Sequence, residues 1–180
     1  YMDRFNGRIT FSIPNSSGKI AAFAGRVFES DEPAKYVNSP ETPIYNKSKI
    51  LYGLHETKQV IRESKSVIVV EGYLDFLQLY QSGIHNCVAV SGTAFTDQHA
   101  LQLKRFCNNV YLAYDGDSAG KAAAIRAGYV LLRAGISALI VNIPDGLDPD
   151  DWVKRDGNTP FLEAVKNSEK LLSFNFNNYE

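Results

Sequence analysis

Short unbroken apolar runs alternate with amphipathic stretches from residue 65 onward. "SVIVV" (66–70), "CVAVS" (87–91), "NVYLAY" (109–114) and "SALIVNI" (137–143) have the length and β-branched content of strands buried on both faces. The segments between them predict helices near 74–82, near 96–107 and over 118–135. Thr96 carries the hydroxyl of an N-cap, and Gly135 suits a helix C-terminus. Strands and helices alternating in this way build a parallel sheet covered on both faces.

The pattern before residue 65 is different. In "GRITFSI" the apolar Ile9, Phe11 and Ile13 alternate with polar positions, the period of a half-buried strand. "PNSSGK" (14–19) supplies turn chemistry, and "IAAFAGRVF" returns as a second, antiparallel strand. Residues 29–49 are polar, hold three prolines and predict an ordered loop. "SKILYGLHETKQVIRES" (48–64) predicts a helix with Ile50, Leu54 and Ile61 near one face. The last stretch, "FLEAVKNSEKLLSFNFNNYE", reads as helix with no C-terminal stop signal, so the chain is expected to be cut from something longer.

Composition narrows the picture by exclusion. The 180 residues, 44% hydrophobic and 22% charged, are those of a soluble globular chain. No apolar run reaches membrane-spanning length and no secretory leader opens the sequence, so no membrane partner and a cytoplasmic address are expected. Cys87 and Cys107 are 20 positions apart and have no nearby partner, which excludes a Cys-x-x-Cys zinc ribbon. His55, His85 and His99 lack ligand spacing and are read as structural or surface residues. The net charge of −1 hides an asymmetry: residues 1–64 carry nine Lys/Arg against seven Asp/Glu, and residues 65–180 carry ten against thirteen.

Those later acids gather at predicted strand ends. Glu71 closes the first parallel strand, Asp115 and Asp117 ("YDGDSAGKAA") follow the third, and Asp145, Asp148, Asp150 and Asp151 ("PDGLDPDD") follow the fourth. Ligands of parallel α/β sheets sit outside the carboxyl ends of the strands, and a strand order of 2-1-3-4 would bring Glu71 opposite Asp115 and Asp117. So many carboxylates need a counter-charge, and no local run of Lys or Arg supplies one. Oxygen ligands favour Mg²⁺ or Mn²⁺, and such ions complete their shells with substrate phosphates, which points to phosphoryl or nucleotidyl transfer. Each piece also has an ordinary reading. Glu71 could be a strand-end acid, Asp117 a helix N-cap and "PDGLDPDD" a polar loop stiffened by Pro144 and Pro149. Asp75 could orient Glu71 or a metal-bound water, or simply cap its helix. "SGT" (91–93) could offer amides to a phosphate or be a tight turn, and Lys121 could meet a phosphate or only solvent.

A strand ending in Glu-Gly, followed two strands later by one ending in Asp-x-Asp, resembles the Toprim domain of primases, topoisomerases and some nucleases. The upstream "PAKYVNSPETPIYNKSKILYGL" (33–54) is similar to the basic block of DnaG-type bacterial DNA primases, and "RITFSIPNSSGKIAAFAGRVF" to the strand pair before it. The resemblance implies an α/β fold: a Toprim (Rossmann-like) four-stranded parallel sheet with flanking helices, preceded by a small antiparallel α+β subdomain and followed by the start of a helical segment. On that reading 1–64 is the basic, template- and nucleotide-facing part of the primase core. Residues 65–147 are then the Toprim domain, and 148–180 the acidic loop and the start of a C-terminal helical subdomain.

The implied activity is RNA primer synthesis on a single-stranded DNA template from ribonucleoside triphosphates, by two-metal nucleotidyl transfer. The alternatives are a Toprim nuclease or topoisomerase fragment, and a binding module whose acids hold a structural metal. Carried over by position, Glu71, Asp115 and Asp117 match catalytic metal ligands, Asp148 and Asp150 a second acidic pair, and Asp75 a supporting acid. Arg26, Lys35, Tyr36, Asn38 and Lys47 match positions for template and nucleotide. The expected cofactor is Mg²⁺ or Mn²⁺, with no zinc in this segment. The zinc-binding module and the helicase-binding region of the family have no counterpart in the sequence, so any contact with the replicative helicase is expected through a region absent here.

Overall fold

The computed structural model describes residues 3–28 and 34–177. Residues 29–33 of the expected loop, including Pro33 of the basic block, and the last three of the terminal stretch lie outside the described residues.

Two sheets organise the chain. Strands β1 (Arg8–Pro14), β2 (Ile20–Val27) and β3 (Tyr36–Asn38) form an antiparallel sheet in that order. The strands β4 (Ser66–Val70), β5 (Cys87–Ala89), β6 (Asn109–Leu112) and β7 (Ser137–Ile140) pair in parallel in the order β5-β4-β6-β7, the predicted 2-1-3-4 arrangement. The second sheet has a fifth member. The two residues of β8 (Glu169–Lys170) pair antiparallel with Leu139 and Ile140, so the terminal stretch is not one helix. It is α6 (Asn158–Lys166), the edge pairing, and α7 (Leu171–Asn177).

Strands β4 and β5 are buried on both faces, as their composition predicts, whereas β6 and β7 alternate buried positions with partly buried or exposed ones. Val67 and Val69 point into a core with helices α1 (Leu54–Ser64), α3 (Asp97–Leu103), α4 (Ser118–Arg133) and α7. Ile68 and Val70 point the other way, against α2 (Tyr73–Gln81), α5 (Pro149–Asp156) and α6. Each such side chain contributes about 1.5–3 kcal/mol when fully buried. A third cluster of Ile13, Ala22, Ala24, Tyr45 and Tyr73 joins the two sheets. Cys87 and Cys107 are buried and unbridged, with thiols pushed up to about 12 and about 11 by burial.

Two expectations for the upstream half need correction. The segment 29–49 contains β3, which extends the hairpin through Ala24–Asn38 and Arg26–Tyr36 pairings. The helix expected over 48–64 begins only at Leu54. Lys47–Lys49 is a 3-10 turn, and Tyr52 forms an antiparallel bridge with Ala89. Gly53, at φ +83°, turns the chain from that bridge into α1, and a Cβ there would lie 2.0 Å from the Phe76 ring. Leu54 and Ile61 share the predicted face, whereas Ile50, lying before the helix, packs on the third cluster. Thr96 caps α3 as expected, its hydroxyl accepting from His99 N. Among the described residues no helix is long and apolar enough to cross a membrane.

Candidate active site

A cavity of about 1060 Å³ opens where the antiparallel sheet meets the carboxyl edge of β4 and β6. Its acidic wall carries Glu71, Asp75, Asp115, Asp148, Asp150 and Asp151. The facing wall carries Arg26, Lys35, Tyr36 and Asn38 from β2, β3 and the turn before it.

Local sequence explains how the acids reach one place. Glu71 follows directly on β4, and its backbone carbonyl accepts from Ser91 N at 2.9 Å, joining two strand ends. Asp115 stands one turn beyond β6, and its amide donates to Glu71 Oε1 at 3.4 Å. "PDGLDPDD" is more than a loop: Asp148 caps α5 by accepting from Asp151 N at 2.7 Å, and Pro149 takes the first helical position. The ligating oxygens of Asp148, Asp150 and Asp151 lie within 4.8 Å of one another.

The glycines of "DGDSAG" let the acidic loops approach. Gly116 N donates to Leu147 O at 2.9 Å, and a Cβ on Gly116 would lie 2.2 Å from Pro144 O. A Cβ on Gly120 would lie 2.2 Å from Asp115 O. Both obstacles are backbone and cannot swing aside. Gly116→Ala or Gly120→Ala is expected to cost about 1–3 kcal/mol by overpacking and to weaken Mn²⁺ binding by parting the acids. Urea unfolding and a Mn²⁺ titration check this; wild-type values in both would mean the seam has slack.

Burial and crowding set the electrostatics. Burial, then Asp115 and Asp117, pushes the Glu71 carboxyl above the ordinary range, against the pull of the Asp115 amide and Arg126. Asp115 is raised by burial and by Asp148 and Asp117, with Lys35 opposing. Asp75 is pushed up to about 7, chiefly by burial, although the Gly72 and Asp150 amides favour its ionised form. Carboxylates raised by one another form a hard-oxygen set with excess negative charge, and they fit a divalent cation.

The sequence places no local run of Lys or Arg against these acids, but single cations on α4 and α5 reach them. Lys154, one turn after Asp150, pairs with it at 2.6 Å, and Lys121 pairs with Asp145 at 2.8 Å on the outer side. Arg126 lines the cavity beside Glu71. Lys121 therefore meets a carboxylate rather than solvent alone.

Asp75 has a structural job. Its two oxygens accept from Gly72 N at 2.8 Å and Asp150 N at 3.2 Å, fastening the start of α2 to the start of α5. Asp75→Ala leaves two amide donors unpaired and is expected to cost about 2–4 kcal/mol. Asp75→Asn keeps one acceptor and should recover part of that loss in a urea titration. Equal stability of the alanine variant and wild type would contradict the fastening.

Asn38 is also occupied: its amide oxygen accepts from Tyr73 OH at 2.9 Å and its nitrogen donates to Ser91 O at 3.4 Å. Tyr36 is half-buried with its ring 5.8 Å from that of Tyr73. Of "SGT", Ser91 is held at φ +56° with its amide donating to the Glu71 carbonyl, and all three residues line the cavity. Two predicted site residues lie outside the cavity wall. Asp117 caps α4 by accepting from Gly120 N at 2.7 Å, and Lys47 sits in the 3-10 turn, its carbonyl held by His99 Nε2 at 3.0 Å.

Comparison with known proteins gives the family of the chain and matches its fold. Residues 1–58 match a family model described as the DNA primase catalytic core, N-terminal domain, and residues 68–153 match a Toprim-like model. The DNA primase of Staphylococcus aureus (strain COL) is 38% identical over 173 residues, which are 96% of this chain and 29% of that protein. The crystal structure of the Aquifex aeolicus primase (zinc binding and RNA polymerase domains) superposes with a TM-score of 0.92 at 38% identity, covering 99% of this chain and 44% of that one. A DnaG primase catalytic domain bound to single-stranded DNA superposes with a TM-score of 0.88 at 42% identity, covering 97% and 57%. The chain spans less than a third of the length of the S. aureus relative.

Proposed function

The chain belongs to the bacterial DnaG-type DNA primase family, as a fragment of its catalytic core, and from that premise we propose that it joins ribonucleotides on a single-stranded DNA template to make replication primers. The observation that carries the reading is the opposition, in one cavity, of a carboxylate wall and a cationic wall. The match of residues 1–58 to the primase N-terminal model favours this reading over a Toprim nuclease or topoisomerase.

Mg²⁺ or Mn²⁺ rather than zinc would be held by Glu71, Asp115, Asp148 and Asp150, with Asp117 adding charge from the cap of α4; the described cavity wall contains neither cysteine nor histidine. When bound, such ions activate the attacking hydroxyl and stabilise the leaving pyrophosphate. Around them the protein positions the reactants. Arg26 and Lys35 neutralise template or nucleotide phosphates, and Tyr36 stacks on a base. The raised Glu71 carboxyl suits a proton acceptor for the attacking 3′-hydroxyl and is equally placed as a ligand. The division into a template-facing part (1–64), a Toprim part (65–147) and a following acidic and helical part (148–180) is part of this proposal. So are action at the bacterial cytoplasmic replication fork and contact with the helicase through a further region.

Titrating Mn²⁺ and a ribonucleoside triphosphate into the protein tests the site. Binding of the nucleotide should require metal and disappear in Asp115→Ala plus Asp117→Ala; binding that survives in that double variant overturns it. Arg26→Ala and Lys35→Ala should each weaken single-stranded DNA and flatten its salt dependence, with a slope loss of about 0.7 per phosphate contact. Unchanged slopes would remove both residues from the template path.

A further inference from the structure

A second cavity, of about 500 Å³, lies at the other end of the β1–β2 hairpin. Lys49, Lys58, Arg62 and Arg105 line it, with Gln102 and Phe106. No carboxylate is among its described lining residues; Glu56 and Glu63, the acids of α1, do not line it. None of the four cations has an acidic partner within ion-pair distance among the described residues. Like charges of this number are not gathered in a concave surface for stability, since each raises the cost of the next.

Three of the four cations make contacts that orient them. Phe106 packs against the main core, and the guanidinium carbons of Arg62 and Arg105 lie 5.4 and 5.9 Å from its ring centre. That arrangement occupies the ring with guanidinium groups and leaves their N–H edges for an acceptor. Planar guanidinium groups fixed in advance match phosphate oxygens and lose little entropy on binding them. Lys58 Nζ donates to Ser16 O at 2.8 Å, so the hairpin tip is tied to α1 at the same wall.

From this tip β2 runs to the first cavity, from Ile20 to Arg26. Six residues of strand span about 20 Å at about 3.4 Å each. We infer that the second cavity binds the phosphodiester backbone of the single strand engaged at the first, holding it about 20 Å from Arg26 and limiting its sliding. This inference rests on the template-binding reading above, and the two can fail separately.

Fluorescence anisotropy of the full chain with labelled dT20 at about 50 mM salt tests it, comparing wild type with Arg62→Gln plus Arg105→Gln and with Arg26→Gln plus Lys35→Gln. Losing two phosphate contacts should weaken dT20 on the order of tenfold and make the salt slope shallower by about 1.4. If the Arg62/Arg105 variant binds as wild type while the Arg26/Lys35 variant is weakened, the second site is overturned and the cleft stands. The reverse result keeps the second site and removes the cleft from the template path. Far-UV circular dichroism confirms that the variants are folded, and Lys49→Gln, at an exposed position, gives a milder variant with the same expected direction. Hydrogen exchange identifies the ligand: dT20 should slow amides of 49–62 and 102–106. Protection by tripolyphosphate but not by dT20 would assign the cavity to free polyphosphate and overturn the inference.

Discussion

Asp115→Asn is expected to raise the unfolding midpoint of the metal-free protein while weakening Mn²⁺ binding by about 10²–10³-fold, the equivalent of several kcal/mol of lost charge interaction. Both effects come from the same crowding. Glu71 and Asp115 titrate above their ordinary values because each is buried and faces other acids. The sign follows from linkage. Where the folded pKa of an acid is raised, the folded state holds the proton more tightly than the unfolded chain, and that stability is lost as pH rises through the folded value. As pH rises without metal, ionisation of these crowded acids opposes the fold, so an amide at position 115 relieves them. At a pH below the ordinary carboxylate range both states are protonated and the advantage of asparagine vanishes. A cation reverses the order, because it binds the crowded acids and stabilises only the folded state. Thermal melts in EDTA at two pH values, with a Mn²⁺ titration followed by electron paramagnetic resonance, separate the terms. A variant that melts below wild type at pH 7.5, or that holds Mn²⁺ as tightly, would refute the crowded-site account.

Legibility in the sequence followed the physical size of each signal. The parallel core was readable because an unbroken β-branched run such as Val67–Val70 has few alternatives once it must be buried on both faces. The strand-end acids were readable for the same reason, since sheet geometry fixes where a strand stops. β8 was not readable: "EK" contributes backbone pairing alone, while Asn142 and Asn177 hold the Glu169 side chain at 2.8 and 3.0 Å. β3 was hidden because three residues in a polar, proline-flanked stretch owe their strand form to β2. The start of α5 left a signal that could have been used. Asp-Pro-Asp-Asp is an N-cap followed by proline and first-turn acids, and reading it so places Lys154 one turn after Asp150, which reveals that pair. Arg126 gave no such sign, because its role depends on α4 passing over Glu71. For Asp117 the ordinary reading as an N-cap is realised in the structure, and its part in metal binding stays with the proposal.

His99 should make the protein lose stability in mild acid, by up to about 3 kcal/mol between pH 6.5 and 4. The side chain is fully buried at the start of α3. Its Nδ1 accepts from Thr96 N at 3.2 Å, which places the proton on Nε2, and Nε2 meets Lys47 O at 3.0 Å. One ring thus closes the α3 cap and holds the 3-10 turn that carries Lys47 and Lys49. A second proton would have to sit on Nδ1, facing the Thr96 N–H. Burial therefore pushes the His99 pKa down to about 4, although its carbonyl partners at Lys47 and Ile50 pull the other way. In the unfolded chain the imidazole titrates near its ordinary value, so between the two the unfolded state binds more protons. Stability from this group is complete above about pH 6.5 and is lost as pH falls toward 4. The raised acids of the cavity work in the opposite direction over part of this range, so the wild-type profile alone is a sum. Subtracting a His99→Gln profile isolates the histidine, because glutamine offers one acceptor and one donor and does not titrate. Urea unfolding in EDTA at half-unit steps from pH 7.5 to 4.5 should give a wild-type-minus-variant difference that shrinks steadily with acid. A difference that stays constant would mean that His99 is protonated as readily inside the fold as outside it.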